Sequence, residues 1–351
     1  MRPDASTAPA SLRTGGILTT IGRTPLVPLQ RLFDDAPFHL YAKLEAFNPA
    51  GSIKDRAALN VLVRAIERDE IGPGTTVVES SSGNMGIGLA QVCAYFGLRF
   101  ICVVDAKTTR QNLALLHAYG AEVDLITEPD PDTGEFLEAR LRRVQALRVT
   151  TPGAFWPNQY ANLDNAHAHL ATMREIVEVL GRVDYVFCAV STCGTLRGCS
   201  EYMRTHLLRT QMWAVDAVGS VIFEHTPHPR LLPGHGASRR PELLRRELVS
   251  RYTLATDLDC IRGCRRLLRR EAILAGASSG AIVAAIEQRQ HEIEKGAVCV
   301  AILPDRGERY LDTVFCDAWV RRHFADWAPE ETVSLSSTLD LEAGAAARLA
   351  V

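Results

Sequence analysis

Short apolar runs alternate along the chain with longer segments whose apolar positions recur at helical spacing. The runs predict β-strands at 39–45, 75–79, 99–105, 121–126, 184–190, 212–218 and 297–304. Because these runs are almost continuously apolar, they are typical of parallel strands that helices cover on both faces. The pattern therefore predicts an α/β protein with mostly parallel, twisted sheets flanked by helices.

The segment that follows Lys54 shows the helical spacing most clearly. Its apolar residues fall on one face of a predicted helix: Ile53, Ala57, Ala58, Val61, Ala65 and Ile66. The strands form an early and a late series, which predicts two sheets, and the Pro-, Gly- and Asn-containing stretch 150–162 marks the boundary. A further irregular stretch, 223–242, is either a mobile surface connection or part of a lid over a site.

Composition and charge exclude several classes of protein. Of the 351 residues, 47% are hydrophobic and 23% are charged, and the formal net charge is -2. These values are ordinary for a globular protein and offer no basic surface for nucleic acid. No apolar run is long enough to span a membrane, and the first residues lack the apolar core of a secretory signal. We expect a cytoplasmic protein without nucleic-acid or membrane partners, which the odd number of cysteines also favours.

Three predicted strands run into helices through loops rich in serine, threonine and glycine. The loops lie at 80–90, 191–200 and 273–286. Free backbone N–H groups at such helix starts attract anions, and ligands of open α/β sheets bind beyond the carboxyl ends of the strands. The three loops together therefore predict a ligand that carries a phosphate group. They lack the patterns G-x-x-x-x-G-K-[ST] and G-x-G-x-x-G, so ATP and dinucleotides are poor candidates.

Metal-dependent and serine hydrolases are not favoured by the remaining motifs. His167 and His169 are two residues apart, which does not match the i, i+4 spacing of a zinc-binding helix. Cys260 and Cys264 lack a second pair that would complete a zinc site, so we expect packing or surface positions for them and no metal. The G-x-S-x-G motif of serine hydrolases is missing.

Lys54 lies in the stretch NPAGSIKDRAALN, at the join between a predicted turn and a predicted helix. The positive end of a helix dipole disfavours a cation there. For a single lysine, the usual explanation is a solvated side chain in a loop. The alternative is a lysine whose amine takes part in chemistry.

Four segments considered together favour the chemical alternative: NPAGSIKDRAA, SSSGNMGIGLA, STCGTLRG and ILAGASSG. Their order and spacing resemble the fold-type II pyridoxal-phosphate enzymes of the cysteine synthase family over about residues 16–320. The resemblance implies that pyridoxal 5'-phosphate is the cofactor and that Lys54 is the lysine that binds it covalently. A lysine with a disfavoured ammonium form is a better nucleophile and base, which fits this role.

The resemblance also implies roles for the loop residues. Asn84 would hydrogen-bond the ring oxygen of the cofactor, and Ser278 would face its pyridine nitrogen. The phosphate group would be held by Ser191, Thr192, Cys193, Gly194 and Thr195. The substrate carboxylate would be bound by Ser81, Ser82, Asn84, Met85 and Gln159.

The same resemblance implies the division into domains. We expect a smaller, mobile domain at 44–160, which carries the substrate-carboxylate loop. A larger domain made of 12–43 and 161–330 would anchor the cofactor, and 331–351 would form a tail. Because the family is usually dimeric, we expect a homodimer.

Departures from the cysteine synthase pattern narrow the predicted substrate. The family has Gly-Thr-Gly-Gly-Thr at 191–195 and a phenylalanine where this chain has Tyr160, so Tyr160 and Ser191 add hydroxyl groups that should face the substrate. Cys193 replaces a glycine, which the cradle tolerates if its backbone binds the phosphate. With 219–223, 232–242 and 302–312, these departures resemble the family members that make N-(2-amino-2-carboxyethyl)-L-glutamate, the precursor of 2,3-diaminopropionate in siderophore biosynthesis.

The reaction that this resemblance implies is a β-replacement between O-phospho-L-serine and L-glutamate, with Lys54 as the base and phosphate as the leaving group. Arg239, in the irregular stretch, is either a contact for the donor phosphate or a glutamate carboxylate, or simply an exposed arginine. The nearest alternative is a cysteine synthase that uses sulfide with O-acetylserine or O-phosphoserine, or a cystathionine β-synthase-like enzyme that uses a thiol. A further alternative is an inactive relative that binds a partner protein through the cofactor cleft.

Overall fold

The structure is a computed structural model that describes residues 12–224 and 226–324. Two sheets contain the strands of this part of the chain, and helices pack on both. The strands are β1 (Leu26–Pro28), β2 (His39–Leu44), β3 (Thr76–Ser80), β4 (Arg99–Asp105), β5 (Glu122–Ile126), β6 (Tyr185–Ala189), β7 (Gln211–Ala217), β8 (Arg251–Ala255) and β9 (Val298–Leu303). The helices are α1 (Lys54–Glu67), α2 (Asn84–Phe96), α3 (Arg110–Ala118), α4 (Phe136–Thr150), α5 (Leu163–Leu180), α6 (Gly194–Thr205), α7 (Asp257–Glu271), α8 (Ala277–Arg289) and α9 (Asp317–His323).

The larger sheet has six strands in the order β1-β2-β9-β6-β7-β8. Only β1 is antiparallel to its neighbour; the other pairs are parallel. β6, β7 and β9 are almost fully buried, because helices lie on both faces of a parallel sheet. Parallel pairing also brings the carboxyl ends of these strands to one edge of the sheet, where a ligand site is expected.

The smaller sheet consists of β3, β4 and β5, all parallel. It forms its own hydrophobic core with α1 and α2, and β3 and β4 are buried. α1 also contacts α5, which lies against the larger sheet's helix α6. The first residue of α1 therefore sits where the two parts of the molecule meet.

The predicted α/β class is confirmed, and each of the seven predicted strands is present with its ends within two residues of the prediction. The apolar pattern missed β1 and β8. Both lie at the edges of the larger sheet, and their residues alternate between exposed and buried or are only partly buried. The apolar run of β1 has only three residues, and β8 carries no continuous apolar run. The proposed tail at 331–351 lies outside the described residues, and the domain boundaries stay a prediction.

Candidate active site

Lys54 lies close to the carboxyl ends of β6 and β9. Its amine lies near Cys188 at the end of β6, Cys193 in the following loop and Asp305 after β9. Burial lowers the pKa of Lys54 below its ordinary value, and these three neighbours only partly oppose that effect. A larger neutral fraction of the amine makes Lys54 a better nucleophile and base.

The turn before Lys54 holds its backbone in place. The buried carboxylate of Asp55 accepts hydrogen bonds from the Ala50 N–H at 2.6 Å and the Ser52 hydroxyl at 3.2 Å. The Lys54 N–H donates to the Ser52 hydroxyl at 3.2 Å. The lysine at this helix start is therefore fixed by the fold and is not a mobile loop residue.

The loop between β3 and α2 carries the predicted carboxylate-binding residues. The Ser81 hydroxyl accepts a hydrogen bond from the Gly86 N–H at 2.9 Å, and the Ser82 carbonyl accepts one from the Asn112 side chain at 3.0 Å. The Met85 side chain is buried in the core of the smaller sheet. Met85 can therefore offer a ligand only its backbone.

Asn84, the first residue of α2, is tied to the segment that follows β9. Its amide donates to the Asp305 carboxyl group at 2.7 Å. The same carboxyl group also accepts a hydrogen bond from the Tyr310 hydroxyl at 2.9 Å. The Arg309 guanidinium donates to the Asn84 side-chain oxygen and to the Ala50 carbonyl. The predicted contact of Asn84 with a cofactor ring oxygen thus requires its amide to leave this cluster, and it stays a prediction.

Gln159 is held by hydrogen bonds to three residues of the site. Its N–H donates to Glu79 at 3.1 Å, and its side-chain amide donates to the Ser80 carbonyl at 3.1 Å. Its carbonyl accepts from Asn165 at 2.7 Å, and the same Asn165 amide lies 3.2 Å from the Thr192 hydroxyl. Gln159 therefore connects the end of β3 with the 191–195 loop.

Glu79 is a buried carboxyl group at the end of β3. Besides the Gln159 N–H, it accepts hydrogen bonds from the Trp156 indole at 3.0 Å and the Ser80 N–H at 2.8 Å. Burial raises the pKa of Glu79 to about 7, although these donors lower it. The carboxyl group of Glu79 thus positions Gln159, and its pKa of about 7 makes this contact sensitive to pH near neutrality.

The loop 191–195 leads into α6 and forms the predicted phosphate cradle. Cys193 precedes the helix with a φ of 63°, and its buried thiol lies 3.9 Å from the Ser191 carbonyl. The first N–H groups of α6, including those of Gly194 and Thr195, have no acceptor within the helix and attract an anion. A Cβ atom at Gly194 would lie 2.4 Å from the Asn165 side-chain oxygen, so a larger residue here would displace the Asn165 side chain.

Tyr160 and Ser191 are brought together. Their hydroxyl groups lie close enough to interact, and burial raises the pKa of Tyr160. The guanidinium groups of Arg140 and Arg230 lie close enough to lower that pKa in part. Arg140 also lies 3.0 Å from the Asp105 carboxylate. The two hydroxyl groups that depart from the family pattern therefore lie near two cations.

The irregular stretch 223–242 packs in part against the site. Gly234 has a φ of +109°, and a Cβ atom there would lie 3.3 Å from the Tyr310 hydroxyl and 3.6 Å from the Ser278 hydroxyl. Ser278, at the start of α8, is buried. Arg239 is half-exposed and lies 3.8 Å from Glu138.

Within residues 12–224 and 226–324, no group of three or more His, Cys, Asp and Glu side chains is arranged to hold a metal ion. Cys260 and Cys264 are buried in the core of the larger sheet. None of the helices in these ranges is both long and apolar enough to cross a lipid bilayer.

Comparison with known proteins decides the family. The family described as pyridoxal-phosphate dependent enzymes matches residues 17–305. The chain belongs to this family. The resemblance predicted from the four motifs is confirmed, and the protein is an enzyme whose cofactor is pyridoxal 5'-phosphate.

Several relatives match nearly the whole chain. N-(2-amino-2-carboxyethyl)-L-glutamate synthase from Ralstonia nicotianae is 46% identical over 325 residues, which are 92% of this chain and 96% of that protein. A lysine-to-alanine mutant of O-ureido-L-serine synthase with bound O-ureido-L-serine has a TM-score of 0.80 at 32% identity and covers 89% of this chain and 98% of its own. O-acetylserine sulfhydrylase isoform 3 from Entamoeba histolytica has a TM-score of 0.79 at 32% identity. The match covers 88% of this chain and 92% of that protein's chain.

The geometry fits the cofactor of this family. The buried amine of Lys54 lies next to Cys193, at the N-terminal end of α6, where backbone N–H groups suit a phosphate group. The Thr195 hydroxyl and the buried Ser278 hydroxyl offer further polar contacts. Lys54, the 191–195 loop and Ser278 are the residues of this chain that would hold pyridoxal phosphate.

Sequence reasoning missed several residues of the site. Glu79 is the last residue of a mostly apolar run, and Arg140 lies in a helix with many charged residues, so neither stands out. Asp305, Arg309 and Tyr310 belong to the segment 302–312, which the sequence marked only as a departure from the family pattern. Polar residues that directly follow the buried strand β9 were the available indication.

Proposed function

We propose that the enzyme condenses O-phospho-L-serine with L-glutamate to give N-(2-amino-2-carboxyethyl)-L-glutamate and phosphate. The observation that supports this most strongly is the 46% identity to the synthase of that name over 92% of the chain. The solved cysteine synthase-like enzymes named above are at most 32% identical to this chain. Their likeness therefore supports a cysteine synthase reaction less strongly than the 46% identity supports the synthase reaction.

Lys54 acts as the base in this proposal. Its amine, whose pKa burial lowers, removes the Cα proton of the donor amino acid and later returns a proton. Bound pyridoxal phosphate supplies the electron sink for the electrons left at Cα. Phosphate leaves Cβ of the donor, and the amine of L-glutamate forms the new bond to Cβ. The Ser81–Asn84 loop and Gln159 hold the donor carboxylate.

Tyr160, Ser191, Arg140 and Arg230 support a phosphorylated donor. Arg140 and Arg230 both act electrostatically on the Tyr160 hydroxyl, and positive charge there suits a dianionic leaving group better than an uncharged acetyl ester, although Arg140 is also paired with Asp105. Arg239, by contrast, is half-exposed next to Glu138. We therefore assign the donor phosphate to the cluster around Tyr160.

The cellular context forms part of the same proposal. A homodimer, a cytoplasmic location and a role in 2,3-diaminopropionate and siderophore biosynthesis follow from the resemblance to enzymes that make this product. The smaller domain at 44–160 is proposed to move against the larger domain during turnover.

A competition assay tests the proposed reaction. The holoenzyme is incubated with O-phospho-L-serine and either L-glutamate or sulfide, and phosphate and amino-acid products are measured. We expect glutamate-dependent phosphate release and a product with the mass of N-(2-amino-2-carboxyethyl)-L-glutamate. O-acetylserine with sulfide serves as the control for a cysteine synthase. Faster turnover with sulfide than with glutamate would overturn the proposal.

Glu79→Gln tests the role assigned to Gln159. An amide offers one acceptor oxygen where the carboxylate offers two, so the Gln159 N–H should lose its partner. We expect KM for the donor amino acid to rise by about 10-fold, as for one lost buried hydrogen bond, with a smaller change in kcat.

The pH dependence gives the control for this variant. Because burial raises the pKa of Glu79 to about 7, the wild-type carboxylate gains a proton as pH falls through that value. Wild-type KM should then rise toward the value of the variant, whereas KM of Glu79→Gln should change only with the ionisation of the donor phosphate. Parallel pH profiles of KM for both proteins would show that the ionisation of Glu79 does not control the position of Gln159.

A further inference from the structure

His169 is a buried histidine that the proposed reaction does not use. It lies on α5 with 0% of its surface exposed. Its Nδ1 atom is 3.2 Å from the Thr172 hydroxyl, and its Nε2 atom is 3.3 Å from the Thr195 hydroxyl. His169 therefore joins a threonine of its own helix to a threonine of the phosphate cradle.

Close packing of α5 on α6 makes this contact possible. A Cβ atom at Gly198 would lie 2.0 Å from the Ala166 carbonyl oxygen and 2.8 Å from the His169 Cβ atom. A larger residue at Gly198 would therefore push the two helices apart. The glycine brings the imidazole within hydrogen-bond distance of Thr195, one turn earlier on α6.

The direction of each hydrogen bond follows from the chemistry of its groups. A dianionic phosphate only accepts hydrogen bonds, and a threonine hydroxyl has a single hydrogen to donate. If the Thr195 hydroxyl donates to the phosphate, it must accept from His169 Nε2. The imidazole then carries its hydrogen on Nε2, and its Nδ1 accepts from the Thr172 hydroxyl.

The electrostatic surroundings favour the neutral imidazole that this arrangement requires. Burial lowers the pKa of His169 well below its ordinary value, and the positive charge of Arg56 lowers it further. On α6, His169 contacts Thr195, Gly198 and Cys199. The Cys199 thiol lies 3.6 Å from the His169 carbonyl oxygen. None of these three is charged at neutral pH.

We propose that Thr172, His169 and Thr195 form a directed hydrogen-bond chain in which the neutral imidazole, protonated on Nε2, aims the Thr195 hydroxyl at the phosphate group of pyridoxal phosphate. The proposal rests on the part of the proposed function that places Thr195 in the phosphate cradle. His169 is a positioning residue, since it acts through Thr195 and does not touch the cofactor.

Two substitutions of His169 separate this role from simple packing. The side-chain nitrogen of glutamine can occupy the place of Nε2 and donate to Thr195, whereas that of asparagine matches Nδ1 and cannot reach Thr195. The matched control is His167→Asn, because His167 lies on the same helix and its side chain is 46% exposed. The readouts are the dissociation constant of pyridoxal phosphate from the apoprotein and the ³¹P chemical shift of the bound phosphate.

We expect His169→Asn to raise the dissociation constant by about 10-fold, as for one lost hydrogen bond near a charged group, and to move the ³¹P resonance. His169→Gln should restore the wild-type values to within about 3-fold, and His167→Asn should leave them unchanged. In wild-type holoenzyme labelled with ¹⁵N-histidine, NMR should show His169 as the neutral Nε2–H tautomer.

Equal effects of the asparagine and glutamine variants would overturn the proposal, as would a charged imidazole or the Nδ1–H tautomer. If the variants do not fold, the tautomer in the wild-type protein decides alone. Thr195→Val tests the cradle separately: unchanged cofactor affinity in that variant would remove Thr195 from the cradle. These readouts use no amino-acid substrate, so they are independent of the competition assay.

Discussion

Lys54→Ala should lose the covalent link to the cofactor and lower turnover by more than about 10³-fold, the scale of a missing catalytic base. The physical reason is that, in the proposed reaction, the amine of Lys54 is both the attachment point of the cofactor and the proton carrier, and burial lowers its pKa. The measurement combines visible absorbance of the reconstituted protein, steady-state turnover and mapping of the borohydride-reduced adduct.

The composition of the chain makes the adduct mapping decisive. The sequence contains four lysines: Lys43, Lys54, Lys107 and Lys295. Lys295→Ala is the matched control, because this lysine is exposed, and it should keep both colour and activity. An adduct on a peptide other than the one that contains Lys54, or substantial turnover by Lys54→Ala, would contradict the assignment.

Arg56→Met should lower the free energy of unfolding by about 3–5 kcal/mol, the usual cost of leaving buried charges without their partner. Arg56 is 5% exposed. Its guanidinium contacts Glu45, which is fully buried, and Glu175, in both cases at 2.7 Å. Without Arg56, Glu45 keeps only neutral hydrogen-bond donors, whereas Glu175 keeps the Lys43 ammonium at 2.7 Å.

Urea unfolding followed by circular dichroism measures this change, and Arg64→Met is the control. Arg64 lies on the same helix, is paired with Glu67, and has a side chain that is 55% exposed. Its loss should change the unfolding free energy by less than about 0.5 kcal/mol. Similar unfolding midpoints for the two variants would show that the buried ion pairs do not stabilise this part of the fold.

Much of the architecture follows from local patterns. Buried parallel strands require continuous apolar runs, and helices that cover them require apolar residues every three or four positions, so both are readable from the sequence. The same reasoning found the loops that follow β3 and β6, because small polar residues must stand where a strand turns into a helix start. It did not find β1, which is only three residues long, or β8, whose edge position removes the apolar run.

The chemical identity of the site depended on single residues within those loops. Lys54 could be singled out because a cation at a helix start is locally unfavourable. His169 was weighed only as a metal ligand, since its spacing from His167 was the only available pattern. The structure places it instead against Thr195.

The sequence by itself determined the alternation of strands and helices, the loops rich in serine, threonine and glycine, and the lysine, since each depends on the chemistry of neighbouring positions. Only the tertiary structure decided which polar side chains meet: Asn84 reaches Asp305 across 221 positions, and Glu79 reaches Gln159 across 80. Hydrogen bonds of this kind depend on distances of a few tenths of an ångström and on side-chain direction, which the packing of the helices on the two sheets sets.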